Sequence, residues 1–339
     1  MKRMLLILLG LFLFSASGAG ETTVDKYLNA VEIGKPIEYE NLTLFPLKSK
    51  KSLSIQSYVT LDQATDKGWI KIKERGTGEV NYVEVKNNGK KMVFLMTGEI
   101  ISGAKQDRMI NHDILLPANS GWIQVPVYCV EHGRWTQVTP EFKSEKLIVP
   151  NALRQKAKLS ESQAEVWDEI SASQTRMGIA SGTGTVRANY EDAEIKKKLD
   201  EYVKKFEKVP ALSSSTIGVV VTTGDRIICF DMFANNGLLK KLWKKLVKSY
   251  AMDALEGEKG NLSKEDIKKF LESLKHADYI STGTPGLGSL IKVESDFGKG
   301  SALLYKSAVV HMDFFPNQGF IDQEEELDLQ FRRDQRLDE

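Results

Sequence analysis

Apolar residues recur along this chain at two spacings, and the change from one to the other divides it. Over residues 36–150 they alternate with polar ones or run at strand length. Ile37-Glu38-Tyr39-Glu40, Trp69-Ile70-Lys71-Ile72-Lys73, Val83-Glu84-Val85 and Ile123-Gln124-Val125-Pro126-Val127 are examples, so this part is predicted to be mostly antiparallel sheet. Gly76-Thr77-Gly78 and Asn88-Gly89 supply the hairpin punctuation. Over 151–209 the spacing becomes three and four. Ser160 with Gln163 predicts a capping box opening a helix that carries Val166, Trp167 and Ile170. After a Gly/Ser/Thr loop at 181–185, Ile195, Leu199, Tyr202, Val203 and Phe206 form one stripe that stops before Pro210.

Residues 215–316 mix both spacings. A hairpin at 217–222 and 226–233 turns at Gly224-Asp225, and strands are expected near 290–293, 302–305 and 308–312. Leu239, Leu242, Trp243, Leu246, Val247, Tyr250 and Ala254 predict a long amphipathic helix. Lys240, Lys241, Lys244, Lys245 and Lys248 fill its remaining faces and are expected to be solvated. A basic helix of this kind can also bind a membrane surface or a partner. Ser263 with Asp266 caps a shorter helix bearing Ile267, Phe270, Leu271 and Leu274. The expected fold is α+β: a strand-rich N-terminal half, a helical middle, and a C-terminal antiparallel sheet with two packed helices. One domain would span 21–317, and a charged tail would follow at 318–339.

The first twenty residues read as a targeting segment. Lys2 and Arg3 precede the apolar run 4–14, and small residues fill 15–20 before Glu21. That order predicts a cleavable signal peptide cut near Ala19 or Gly20, hence an exported protein, periplasmic or secreted. No later apolar run reaches membrane-spanning length, so no integral membrane segment is expected after cleavage. The composition is that of a globular protein, with 41% hydrophobic and 27% charged residues. The formal net charge is +1, and without Lys2 and Arg3 it falls to about −1, which argues against nucleic acid as a partner. Cys129 and Cys229 both lie in apolar strand-like runs. They are expected as two buried thiols, with a disulfide closing a long loop as the alternative.

Two stretches gather the side chains that perform chemistry. One is Gly98-Glu99-Ile100-Ile101-Ser102-Gly103-Ala104-Lys105-Gln106-Asp107-Arg108, the other Pro126-Val127-Tyr128-Cys129-Val130-Glu131-His132-Gly133-Arg134-Trp135. Each leaves an apolar strand and ends in glycine-punctuated polar residues, where the backbone can bend around a ligand. Lys105, Arg108 and Arg134 suit a phosphate or carboxylate, and arginine adds a bidentate fork. Glu99 and Glu131 suit acid–base work or the hydroxyls of a sugar. Trp135 or Trp122 can stack on a ring. The same residue types also build structural ion-pair networks, which is the competing reading.

Both stretches resemble the pattern of the ADP-ribosylglycohydrolase- and rhodanese-phosphatase-superfamily-associated protein domain family. The resemblance continues through 150–156, Val166-Trp167-Asp168, Phe230-Asp231-Met232-Phe233, Leu242-Trp243 to Asp253-Ala254-Leu255, and Val309-Val310-His311, covering most of 53–316. It implies a role near nucleotide-derived ligands. Onto this chain it carries Glu99, Lys105, Gln106, Arg108, Glu131, Arg134 and Trp135 as site positions.

Other motifs fail on spacing. Gly283 to Gly288 clusters glycines but is followed by a strand, not the helix a dinucleotide site needs. Ser181-Gly182-Thr183-Gly184-Thr185 lacks the lysine of a phosphate-binding loop. Cys129 with His132 is one ligand pair without a second, so no metal and no cofactor is expected. The expected function is recognition of a small anionic sugar or nucleotide-like ligand, with hydrolysis as a further option for Glu99 and Glu131. The alternative is a non-catalytic exported scaffold or binding protein.

Overall fold

In a computed structural model, residues 18–49 and 56–317 are described. Their strands form three sheets. The largest has nine strands and is antiparallel throughout. Its order runs Val31–Ile33, Leu42–Ser49, Thr216–Thr223, Arg226–Phe233, Ala308–Pro316, Gly298–Tyr305, Ser289–Ser295 and Asp278–Thr282, with Ile37–Tyr39 also paired to Leu42–Ser49. The first strands of the chain therefore belong to the C-terminal sheet, and the rest of the strand-rich half is inserted between them and it. The insert holds a closed six-stranded barrel, Ile123–Cys129, Tyr82–Asn87, Ile70–Glu74, Phe142–Ile148, Glu99–Gly103 and Arg108–Ile110. A small sheet of Ile114–Leu116, Val93–Leu95 and Val59–Thr60 lies beside it. The fold is α+β, with the helical middle and C-terminal antiparallel sheet that the spacing predicts.

Three apolar clusters follow from the strand alternation. Ile72, Val83, Val85, Ile101, Ile110, Val125, Val127 and Phe142 share the cluster of the barrel strands. One face of the large sheet packs under the Lys264–Ser273 helix and Gly18–Ala30, through Phe230, Met232, Phe270, Tyr27 and Leu28. The other packs under Asn236–Ala254, Ala193–Phe206, Gln163–Met177 and Asn151–Ser160. Among the described residues no helix is long and apolar enough to cross a membrane. The signal segment lies mostly, and the charged tail wholly, outside the described residues.

Two local expectations are corrected. The helix carrying Val166 starts at Gln163 and is capped by Ser162, whose hydroxyl accepts from the Glu165 N–H. Ser160 instead ends a helix, Asn151–Ser160, closed by Glu161 in the left-handed conformation (φ 51°). That helix is silent in the apolar pattern because Asn151 and Arg154 take half of its buried positions. The second correction concerns the lysines of Asn236–Ala254. Lys240, Lys241 and Lys244 are exposed, Lys241 also donating to the Tyr58 carbonyl, but Lys245 is buried and Lys248 lies 3.5 Å from Asp200. The helix runs between the sheet and the barrel, so only part of its polar face reaches solvent.

Candidate functional site

Antiparallel pairing of Arg108–Ile110 with Ile123–Cys129 sets Cys129 opposite Arg108 and brings the two polar stretches to one rim of the barrel. Glu131 is the hub. Its Oε2 accepts from the Asp107 N–H (3.0 Å), Arg134 Nε (2.9 Å) and Arg134 Nη2 (2.5 Å), and its Oε1 from the Thr183 hydroxyl (2.7 Å). The Gly/Ser/Thr loop is what closes over it: Gly133 N–H donates to the Thr183 carbonyl, and a Cβ at Gly133 would lie 3.1 Å from that oxygen. Gly103 has φ +123° and approaches Glu141 so closely that a Cβ would meet its carbonyl at 2.7 Å. Glycine is required at Gly103 by geometry, and at Gly133 a Cβ would be a tight fit against the loop.

Asp107 completes the cluster, although the sequence reading passed over it. Its Oδ1 accepts from Arg134 Nη2 (3.2 Å), its Oδ2 from the Thr185 hydroxyl (2.9 Å), and Arg187 Nε lies 2.8 Å from Oδ2. Arg187 also reaches Glu145 at 3.3 Å, and Glu145 accepts from the Ser102 hydroxyl. Burial raises the Asp107 carboxyl, and the neighbouring Glu131 adds to this against Arg187 and Arg134. Burial also opposes ionisation of Glu131, but hydrogen bonds from Arg134 and Thr183 outweigh it and hold that carboxyl below its usual range. Outside the cluster opens a cleft of about 340 Å³, lined by Ser102, Asp107, Arg134, Thr139, Lys143, Glu145 and Arg187, among others. Arg187 stands two residues past the 181–185 loop. A polar loop that must cover a polar strand end is the signal by which it could have been found.

The remaining expected site residues divide. Gln106 bridges the rim: its Nε2 donates to the Glu131 carbonyl (2.9 Å), and its Oε1 accepts from Arg108 Nη1 (3.1 Å) and the Cys129 thiol (3.1 Å). Arg108 is fully buried, with Nη2 4.0 Å from Glu74, so it faces no open cleft. Trp135 is half exposed, its ring 4.9 Å from the Lys105 ammonium and 6.0 Å from the Arg108 guanidinium. Glu99 is not with Glu131. It is buried against the Asn236–Ala254 helix, where its carboxylate pairs with Lys245 and accepts from the Met96 N–H (2.7 Å), and Lys245 also reaches Asp62 at 2.8 Å. Burial pushes Glu99 up to about 7, while two carboxylates hold the Lys245 ammonium charged. Cys129 and Cys229 are free and buried.

A model of the ARG and Rhodanese-Phosphatase-superfamily-associated Protein domain matches residues 30–315. The chain belongs to this family. No curated protein and no solved structure matches it. The family domain thus takes in the large sheet, the barrel and both polar stretches.

It also takes in a second ionic network, beneath the sheet. Arg154 donates to both oxygens of Asp231 (2.9 and 2.7 Å), and Tyr250 adds a third bond at 2.6 Å. His311 bridges Asp113 (Nδ1, 2.6 Å) and Asp231 (Nε2, 3.1 Å). Lys158 lies 3.2 Å from Asp313. Burial alone would lower the His311 pKa, but Asp113 and Asp231 raise it to about 9, so the ring is an imidazolium at neutral pH. Three carboxylates and three cations balance. The Val309-Val310-His311 and Phe230-Asp231 motifs are thereby structural. A wider cleft of about 770 Å³ opens nearby, with Asp253 in its wall, and burial raises that carboxyl to about 7.

Proposed function

We propose that this family member is an exported recognition module that takes a hydroxyl-rich, sugar-type ligand in the cleft at the barrel rim and does not turn it over. The observation that carries this is the charge balance of an open cleft whose donors and acceptors are already held in place. Arg134, Arg187 and Lys143 share the cleft wall with Asp107, Glu141 and Glu145, and the Ser102 and Thr139 hydroxyls join them in the lining. A neutral lining gives no electrostatic reward to a multiply charged anion, whereas it offers sugar hydroxyls both donors and acceptors. The ADP-ribosylglycohydrolase link in the family name is compatible with a ribose-type ligand and goes no further.

Neither carboxylate expected to do acid–base work is placed for it. A general base needs a lone pair facing the substrate and a pKa near the working pH. Glu131 has four donors on its two oxygens and a lowered pKa, and Glu99 sits in another buried cluster. Ligand-observed NMR and calorimetry on the full chain, with ribose, glucose and their phosphates, test the proposal. Neutral sugars should bind saturably and emerge unchanged. Binding of the phosphates alone would restore the anion reading, product release would restore hydrolysis, and no binding at all would leave the cluster a structural lock.

A further inference from the structure

Trp122 is one of the residues that the cleft does not absorb. It is 43% exposed, and Tyr82, 40% exposed, stands on the same outward barrel face. The strand register places them. Ile123 pairs with Val85 and Pro126 with Tyr82, so Trp122 and Tyr82 are offset by four residues, about 14 Å along the strands. Val83, Val85 and Val125 belong to the buried barrel cluster; the alternating residues Tyr82, Glu84 and Gln124 face out. Each exposed ring is backed by a cation: Lys73 lies 4.5 Å from the Trp122 ring and Arg75 5.9 Å from that of Tyr82. Those cations are themselves paired, Lys73 with Glu84 at 2.9 Å and Arg75 with Glu79 at 2.8 Å.

Single exposed aromatics are ordinary surface features. Here two are held at fixed spacing by a rigid sheet, with amide and carboxylate groups in the row between them. Lys73 and Arg75 are spent on Glu84 and Glu79, which leaves Lys86 and the loosely paired Lys71 as the cations this face offers to phosphates, a small field for a nucleic acid. A sugar ring needs no such field: it lays its C–H face on an aromatic and its hydroxyls on the polar row. The face also adjoins the rim cleft, because Ile70–Glu74 pairs with Phe142–Ile148 and Lys71 lies 3.9 Å from Glu141, a residue of the cleft wall.

We propose that the ligand is a neutral oligosaccharide or polysaccharide strand that has one unit in the rim cleft and runs out across the barrel face over Trp122 and Tyr82. This rests on the sugar reading of the cleft and extends it to a polymer. The test is calorimetry of the full chain with glucan and chitin oligosaccharides of two and six units. Six-unit oligosaccharides should bind at least about tenfold tighter than two-unit ones, the worth of one good aromatic contact. Trp122→Ala and Tyr82→Ala should erase that gain, keep the two-unit affinity and leave the melting temperature unchanged, since both side chains are exposed. If two-unit sugars bind and six-unit ones bind no tighter, the platform is overturned and the cleft stands. If the gain survives both substitutions, the strand lies elsewhere and the platform is overturned. If neither length binds, both proposals fall. Tighter binding of a thymidine 20-mer that depends on Trp122 would assign the face to nucleic acid instead.

Discussion

The core network around Asp231 and the rim network around Glu131 use the same residue types and reach opposite ends. Beneath the sheet, Arg154, Asp231, His311 and Asp313 are all 3% exposed or less, and the charges meet one another across three elements. At the rim, Glu131 and Asp107 are nearly as buried, but their arginines are not: the Arg134 and Arg187 side chains keep 14% and 29% exposure. Carboxylates that are buried and cations that reach the surface make a lining. Carboxylates and cations that are both buried make a joint. Side-chain exposure of the cation separates Arg187, at 29%, from Arg154, at 1%, while Arg134 at 14% and Lys158 of the core network at 12% stand between them.

That contrast breaks first at the joint. Removing one partner from a fully buried pair leaves the other charge without compensation. Arg154→Met should cost about 3–5 kcal/mol in urea unfolding, because Asp231 and Asp313 then share His311 and Lys158. A loss below about 1 kcal/mol would show that the network is dispensable. The Lys245 cluster comes next. Lys245→Met strands Glu99 beside Asp62, but Glu99 can take up a proton near neutral pH, so the loss should be smaller, about 1–3 kcal/mol. Lys244→Ala, one residue away and exposed, should change stability by less than about 0.5 kcal/mol.

Acidity tests the same joint more gently. The His311 pKa is raised from 6.5 to about 9, so its stabilising contribution is complete below pH 6.5 and fades as pH rises through 9. Glu99, raised from 4.5 to about 7, and Asp253, raised from 3.8 to about 7, lose theirs as pH rises through 7. Asp231 acts in the opposite sense. Arg154 and His311 more than offset its burial and depress its pKa, so its contribution is present above the ordinary carboxyl range and is lost as pH falls below it. Burial holds His112 down at about 4, so one histidine contribution rises over the range in which two carboxyl contributions fall. The net is a decline above the carboxyl range, so melting temperature should be highest near about pH 4.5 and decline towards pH 9. A melting temperature that rises from pH 6 to pH 9 would contradict this.

How much of this was legible beforehand depended on whether a role leaves a periodic trace. The Ile195–Phe206 stripe, the 216–233 hairpin and the Ser263 cap did, because apolar spacing and capping are local. The rim was legible in part, since Gln106, Glu131 and Arg134 lie in two dense polar stretches that the strand pairing joins. Asp107 and Arg187 were not chosen: one hides between chosen residues, and the other's partner is 80 positions away in sequence. Lys245 was read as solvated because a helical wheel shows the polar face but not what packs on it. Arg154 occupies a buried position on its helix, where an apolar residue would have announced the helix by its spacing.

Among the network cations, the smallest expected stability effect belongs to the residue with the largest expected effect on binding. Arg187 holds Asp107 through Nε and Glu145 through Nη1. If it is truncated, Asp107 keeps Arg134 and the Thr185 hydroxyl, and half-exposed Glu145 keeps Ser102 and solvent. Arg187→Ala should therefore cost about 1–2 kcal/mol, because buried Asp107 keeps two partners, and so fall well short of the loss in Arg154→Met. Its guanidinium is nonetheless a principal donor in the cleft wall, and losing a charged donor to a ligand hydroxyl costs about 1.5–3 kcal/mol of affinity, roughly ten- to a hundredfold. Arg134 cannot serve as this test, because it also donates to the Ala104 and Thr136 carbonyls and its loss would disturb the rim itself. Parallel thermal melts and sugar titrations on Arg187→Ala decide the matter. Retained stability with lost binding marks the rim as a lining. A melting temperature that collapses as far as that of Arg154→Met marks it as a second joint.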